Sequence, residues 1–206
     1  EVDKELERRG YSFARYADDC NVYVGSRTSG ERVMALLKRL YAKLHLRVNE
    51  SKSAVASAYG RKFLGYSFWA AKGKVVKLRV ADKAQKAYKQ RVRQLTRRVG
   101  GKGMAEVALK LKQYVNGWKA YFKLADTPKV WRELDEWMRH RLRAIQLKQW
   151  KRGSTMYREL TKLGAPQGVA ERVAGNSRCW WRNSDGLIKT VLTIQYLDKL
   201  GAPRLV

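Results

Sequence analysis

Acidic residues are scarce in this chain: 18 Asp and Glu face 45 Lys and Arg over 206 residues, a formal charge of +27. So large an excess of one sign repels itself in a compact chain, and a polyanionic partner is what usually offsets it. Nucleic acid is the first expectation. A membrane surface is the competing polyanion, but the sequence shows no long apolar run, lipidation motif or signal-peptide pattern, so no membrane is expected among the partners. Cysteine is nearly absent as well. Cys20 and Cys179 lie far apart and without metal-ligand spacing, which excludes a zinc motif and suits two inert thiols in a reducing, cytoplasmic, RNA-associated setting. Internal repeats and low-complexity tracts are missing too. What the chain does have is 45% apolar residues, enough to bury a core in one large domain or two small ones.

Against the basic background, FARYADDCNVYV, residues 13–24, sets Asp18 and Asp19 side by side between two runs of aromatic and β-branched residues. This is the pattern of a tight hairpin with the acids at its bend. Adjacent carboxylates repel each other unless a cation neutralises them, and hard oxygen donors without a nearby His or Cys favour Mg²⁺. An isolated acidic pair is ordinary turn chemistry. Tyr16 and the strand-like flanks point instead to the metal-binding hairpin of a template-dependent polymerase palm.

Residues 1–9 order acids before arginines and stop at Gly10, the pattern of a short helix. After the GSRTSG turn, Val33, Leu36, Leu37, Leu40, Tyr41 and Leu44 recur at helical spacing from an expected Ser29 cap. HLRVNESKS, 45–53, reads as a short strand with Asn49 and Lys52 just beyond it, and RKFLGYSFW, 61–69, as a strand pair with Gly65 inside.

From residue 82 the period becomes helical. Asp82 to Arg98 carries seven Lys or Arg and no further acid, followed by a GGKG loop at 100–103. Residues 104–124 form a second helix with Val107, Leu111, Tyr114, Val115, Trp118 and Phe122 inward, and Thr127 with Pro128 opens a third that runs to about Arg152. From Arg139 to Arg152 there are six Lys or Arg and no acid, with Trp137 and Trp150 interleaved. A solvated helix face would normally mix both signs, so this run is read as a nucleic-acid contact. Helices follow over 154–163, ended by Gly164, and from Pro166. CWWRNSDG, 179–186, reads as a loop whose tryptophans are core or staple residues ahead of base-stacking platforms, and a helix or extended segment covers 187–200. The expected fold class is α+β: a partial right-hand polymerase palm over 1–80, then a mainly α-helical thumb over 81–206.

In that order the motifs resemble the C-terminal half of a group II intron reverse transcriptase and maturase. YADD at 16–19 is similar to the polymerase box of that family, VNESKS at 48–53 to the Asn and Lys segment after it, and FLGYSF at 63–68 to the primer-gripping hairpin. YVNGWKAYF at 114–122, LDEW at 134–137, RLR at 141–143 and KQWKR at 148–152 resemble the thumb, also called the maturase or X domain. The resemblance covers nearly the whole chain. The third palm carboxylate and the fingers with their dNTP-binding basic residues would precede this stretch, so the chain, opening on Glu1 in mid-pattern, is expected to be the C-terminal portion of a longer protein. No HNH or zinc-binding endonuclease segment is recognised.

The resemblance implies attack of a primer 3′-hydroxyl on the α-phosphorus of a dNTP, assisted by Mg²⁺ held on Asp18 and Asp19. It implies that Lys52 either donates a proton to the pyrophosphate or is a surface charge, and that Phe63, Leu64 and Gly65 position the primer end. Phosphates would be held by Arg91, Arg93, Arg97, Arg98, Arg139, Arg141, Arg143, Lys148, Lys151 and Arg152. The implied partners are structured RNA, a group II intron, and an RNA/DNA template-primer. Two other readings stand beside this one: a non-catalytic RNA-binding maturase module with a vestigial hairpin, and a nucleotide cyclase palm, which has no use for a basic helical thumb.

Overall fold

The chain first turns back on itself at a two-residue bend. Strands β1 (Ser12–Tyr16) and β2 (Asp19–Tyr23) pair antiparallel with Tyr16 opposite Asp19, so Ala17 and Asp18 make the bend, and Ala17 takes a left-handed φ of 52°. This is a computed structural model, and it describes residues 1–97 and 101–206; Arg98 of the basic run and Gly100 of the expected loop lie outside them. By contact it divides into two units, Glu1–Arg61 and Lys62–Val206.

In the first unit, α1 (Val2–Arg8) carries Asp3 and Glu5 in the first turn and Arg8 in the last, as the helix dipole favours, and Glu5 accepts from both Arg8 and Arg9. Helix α2 (Arg27–Lys43) buries Val33 and Leu36. Its cap is Ser26 rather than the expected Ser29: Ser26 has extended backbone, and its Oγ accepts from the Ser29 N–H at 3.1 Å. The expected strand at 45–53 is a turn instead. Asn49 Oδ1 accepts from the Lys52 N–H at 3.2 Å and from the Ser51 hydroxyl at 2.8 Å, so a side chain satisfies locally what a ladder would have paired.

In the second unit, β3 (Lys62–Phe63), β4 (Tyr66–Ala70) and β5 (Val76–Val80) form an antiparallel sheet in that order. Leu64 and Gly65 make the β3–β4 bend, both with positive φ, 50° and 79°. Strand β5 adds to the elements expected; Val76, Leu78 and Val80 do alternate with Lys77 and Arg79, but only Val80 is fully buried. Helices α3 (Asp82–Leu95), α4 (Met104–Tyr121) and α5 (Pro128–Trp150) share one core. Tyr88 and Val92 meet Val107, Leu111 and Val115, and both sets meet Leu134, Met138, Leu142 and Ile145, spaced so that each helix turns one stripe inward. Thr127 makes no cap bond and its hydroxyl has no partner, so the start of α5 rests on Pro128, which has no N–H to satisfy and a preset φ.

Leu147 of α5 enters a second core with Met156 and Leu160 of α6 (Gly153–Lys162), Ala170 and Val173 of α7 (Gln167–Gly175), Ile188 and Leu192. A Cβ on Gly153 would lie 2.7 Å from the Ala174 carbonyl oxygen, so α6 starts against α7 only because residue 153 has none. Where a loop was expected, Trp180–Asn183 forms the single-turn helix α8, too short to leave a periodic signal. The 187–200 segment resolves into a 3₁₀ turn, Leu187–Thr190, and α9 (Ile194–Lys199). The boundary between units falls at 61/62, ahead of the change of period near residue 80. The sheet is fastened to the helices: Val80 shares a small core with Phe122 and Ala125, and the Asp126 N–H donates to the Leu78 carbonyl at 2.8 Å. Among the described residues no helix is long and apolar enough to cross a membrane.

Candidate nucleic-acid interface

Asp18 occupies the β1–β2 bend and Asp19 opens β2; both are exposed, and neither has an ion-pair partner among the described residues. Arg15, one rung away and opposite Cys20, pairs instead with Asp3 at 2.6 Å. Burial pushes the Cys20 thiol up, while Cys179 is exposed. Among the described residues no three His, Cys, Asp or Glu gather to hold a metal, so the hairpin offers two carboxylates. Lys52 is exposed on the Asn49 turn.

Phe63, Leu64 and Gly65 sit on the β3–β4 hairpin of the second unit, and the end of α4 grips its bend. Tyr121 Oη donates to the Leu64 carbonyl at 3.0 Å, and Tyr66 Oη donates to the Tyr121 carbonyl. A Cβ on Gly65 would lie 2.9 Å from the Phe122 ring, which also meets Tyr66 at 5.2 Å between centroids. Gly65 is thus required twice over, by its φ and by the ring beneath it.

The basic residues gather around indoles. Lys89 Nζ lies 5.7 Å from the centroid of Trp137, and the Cζ atoms of Arg93 and Arg141 lie 5.3 and 5.5 Å from it, bringing α3 and α5 onto one ring. Arg141 reaches Trp181 as well, at 6.0 Å, and its Nε donates to Thr96 Oγ1 at 2.8 Å. Trp181 stacks on His140 at 4.0 Å, and Lys148 Nζ lies 5.6 Å from Trp180. Arg93 and Arg97 with Gln90 and Gln94 line a shallow concavity on α3, and Arg91, also exposed, donates to Gln94 at 3.0 Å. Lys89 was not among the residues singled out from sequence; its helical register with Arg93, i and i+4, was the available signal.

Two of the expected phosphate ligands are interior. Arg139 is 3% exposed, with its Nε donating to Asp135 at 2.7 Å, and Arg143 is 5% exposed, with its Nε donating to the Leu192 carbonyl at 2.7 Å. Burial, then the charge of Arg139, lowers the pKa of Arg143. Neither guanidinium can meet a phosphate without leaving the core, so both belong to the fold.

Residues 85–164, from within α3 to the glycine after α6, match the family model described as group II intron, maturase-specific domain. Over those residues the chain is similar to that domain. The match ties that part of the chain to the maturases of group II introns. No curated protein matches the chain.

Within the matched residues lie Trp137, Lys89, Arg93 and Arg141, together with the joint between the two helical cores. At that joint Lys151 has φ 56° and ψ −65°, and the Arg152 N–H donates to the Trp150 carbonyl at 2.6 Å: a γ-turn of the rarer, strained hand, with Lys151 and Arg152 both exposed. The LDEW segment of the matched stretch is a fastening. Asp135 takes Arg139 on one oxygen and the Leu205 N–H at 2.9 Å on the other, and Asp198 of α9 pairs with Arg204 and stands 3.7 Å from Arg139.

Proposed function

We propose that the chain binds structured group II intron RNA through its maturase-specific domain and assists splicing, and that its carboxylate hairpin is the polymerase box of an RNA-directed DNA polymerase acting on an RNA/DNA template-primer. The observation that carries the RNA-binding reading is the Trp137 cluster. Three cations from two helices crowd one indole; they repel one another, and phosphate relieves that repulsion. The cluster also offers cation and aromatic chemistry side by side, which suits an RNA backbone with exposed bases. The test is retention of group II intron RNA across a salt series. Lys89→Gln with Arg93→Gln should weaken binding and flatten the salt dependence, and unchanged binding would sink the assignment.

For the polymerase reading, the donor set fits Mg²⁺. A small hard cation is commonly held by one or two carboxylates with water and substrate phosphate completing the shell, and Asp18 and Asp19 are adjacent, exposed and unpaired. When bound, the metal would supply charge neutralisation and a lowered hydroxyl pKa. The protein's own part is positional: the rigid β3–β4 bend would present backbone at Leu64 and Gly65 to a primer end, with Phe63 beside it. The second reading is an RNA-binding module without catalysis. Asp18→Asn separates the two readings in the intact protein: loss of cDNA synthesis with splicing retained supports the enzyme, and no synthesis from the unmodified protein supports the module.

A further inference from the structure

A second concave site lies where the end of α4 and the start of α5 meet the 205 segment. Lys119 of α4, Lys123 just after it and Arg132 of α5 surround a cleft of about 520 Å³ whose floor includes Pro128, Trp131 and Leu205. Val206 lines it as well, no acidic side chain does, and the three cations have no side-chain partner among the described residues. Trp131 is held in place: its indole N–H donates to the Ala125 carbonyl at 3.4 Å, and its ring meets Trp118 edge-on at 5.3 Å. Leu205 is fixed by its bond to Asp135. The floor is therefore preorganised, and six residues of α5 set Trp131 about 240° around the helix from Trp137, away from the other cation cluster.

We infer that this cleft takes one unstacked nucleotide of the RNA, its base against Trp131 and the apolar floor and its phosphate among Lys119, Lys123 and Arg132. Three unpaired cations call for a phosphate; an aromatic, apolar floor calls for the flat face of a base; and the volume falls within the roughly 300–1,000 Å³ of small-ligand sites. The inference rests on the RNA-binding reading and gives it a second contact, one that prefers bulged or single-stranded nucleotides to duplex.

The probe is AMP added to the whole 206-residue chain, read through the Trp131 indole N–H resonance, which is assigned by its loss in Trp131→Phe. AMP should shift that resonance saturably at millimolar concentration while the Trp137 resonance moves little. Adenosine alone and inorganic phosphate alone should each act at least about five-fold more weakly, and Lys123→Gln with Arg132→Gln should weaken AMP by about five- to ten-fold. No shift at Trp131, an equal effect from phosphate or adenosine alone, or a shift confined to Trp137 would overturn the inference. Intron RNA retention on the same samples separates the two claims. If the unmodified chain retains RNA and Trp131 ignores AMP, the cleft assignment fails alone; if it binds AMP at Trp131 but retains no RNA, the RNA-binding reading fails.

Discussion

Removing Arg139 would leave Asp135 buried without its cation, with only the Leu205 N–H on its other oxygen. Breaking one partner of such a pair costs about 3–5 kcal/mol, so Arg139→Ala should melt well below the unmodified protein, whereas exposed Arg93→Ala should stay within about 0.5 kcal/mol of it and lose RNA affinity instead. Melting curves and RNA affinity on the same preparations check this, and equal stabilities would contradict the burial of Arg139. The same network responds to acid. Arg204, helped by Arg139, holds the Asp198 carboxyl below its usual range. That contribution is present above the ordinary carboxylate value of about 4 and is lost as pH falls through the lowered one. At Lys151 the strained γ-turn makes glycine the better residue: Lys151→Gly should raise stability by up to about 1 kcal/mol and remove one phosphate contact.

At the scale of elements, the β3–β4 hairpin and the end of α4 behave as one piece. Gly65→Ala forces a Cβ toward the Phe122 ring at a φ that alanine resists, and Phe122→Ala empties the same contact at a cost of about 3–5 kcal/mol. Tyr121→Phe is the finer probe, because it deletes only the hydrogen bond to the Leu64 carbonyl; about 1 kcal/mol should be lost, with the melting cooperative as before. Hydrogen exchange should report the change at the hairpin's amide groups first. If Tyr121→Phe leaves hairpin exchange unchanged, the bend is held by its own strands and not by α4.

For the whole molecule, charge and buried tyrosine set the response to solvent. With +27 to offset, RNA affinity should fall by a few decades between low and moderately high salt, the slope shrinking by about one for each phosphate-contacting cation removed. At high pH the sign reverses for stability. Burial, chiefly, pushes the Tyr88 hydroxyl far above its usual value, and Tyr114 and Tyr196 are raised for the same reason. A raised folded pKa means that the contribution is complete below the unfolded value near 10 and is lost as pH climbs past it, because the unfolded chain ionises first. Tyr88→Phe should therefore flatten the alkaline loss; among the described residues its hydroxyl has one polar contact, a weak one to Met138 Sδ at 3.5 Å, so little should be lost at neutral pH. Melting temperature against pH, with tyrosinate absorbance, tests both halves.

Local chemistry was legible in the sequence by itself. Two acids between β-branched flanks determined the β1–β2 hairpin, helical spacing of Val107, Leu111 and Val115 determined a core-facing stripe, and Pro128 marked the start of α5. These signals are short-ranged, carried by neighbours within a turn or two of chain. What only the tertiary structure decided was which charges face water. Arg139 and Arg143 carry the same side chain as Arg141 and alternate with it along α5, yet Arg139 and Arg143 are buried among Asp135 and the Leu192 carbonyl, while Arg141 lies over two indoles. Their partners stand at residues 181, 192 and 198, and α8 and α9 are too short to announce themselves by period. The Trp131 cleft was equally hidden, since its walls come from α4, α5 and the 205 segment. A run of one sign of charge predicts a polyanion, but burial is settled by residues distant in the chain, and it decides which of those charges the polyanion can reach.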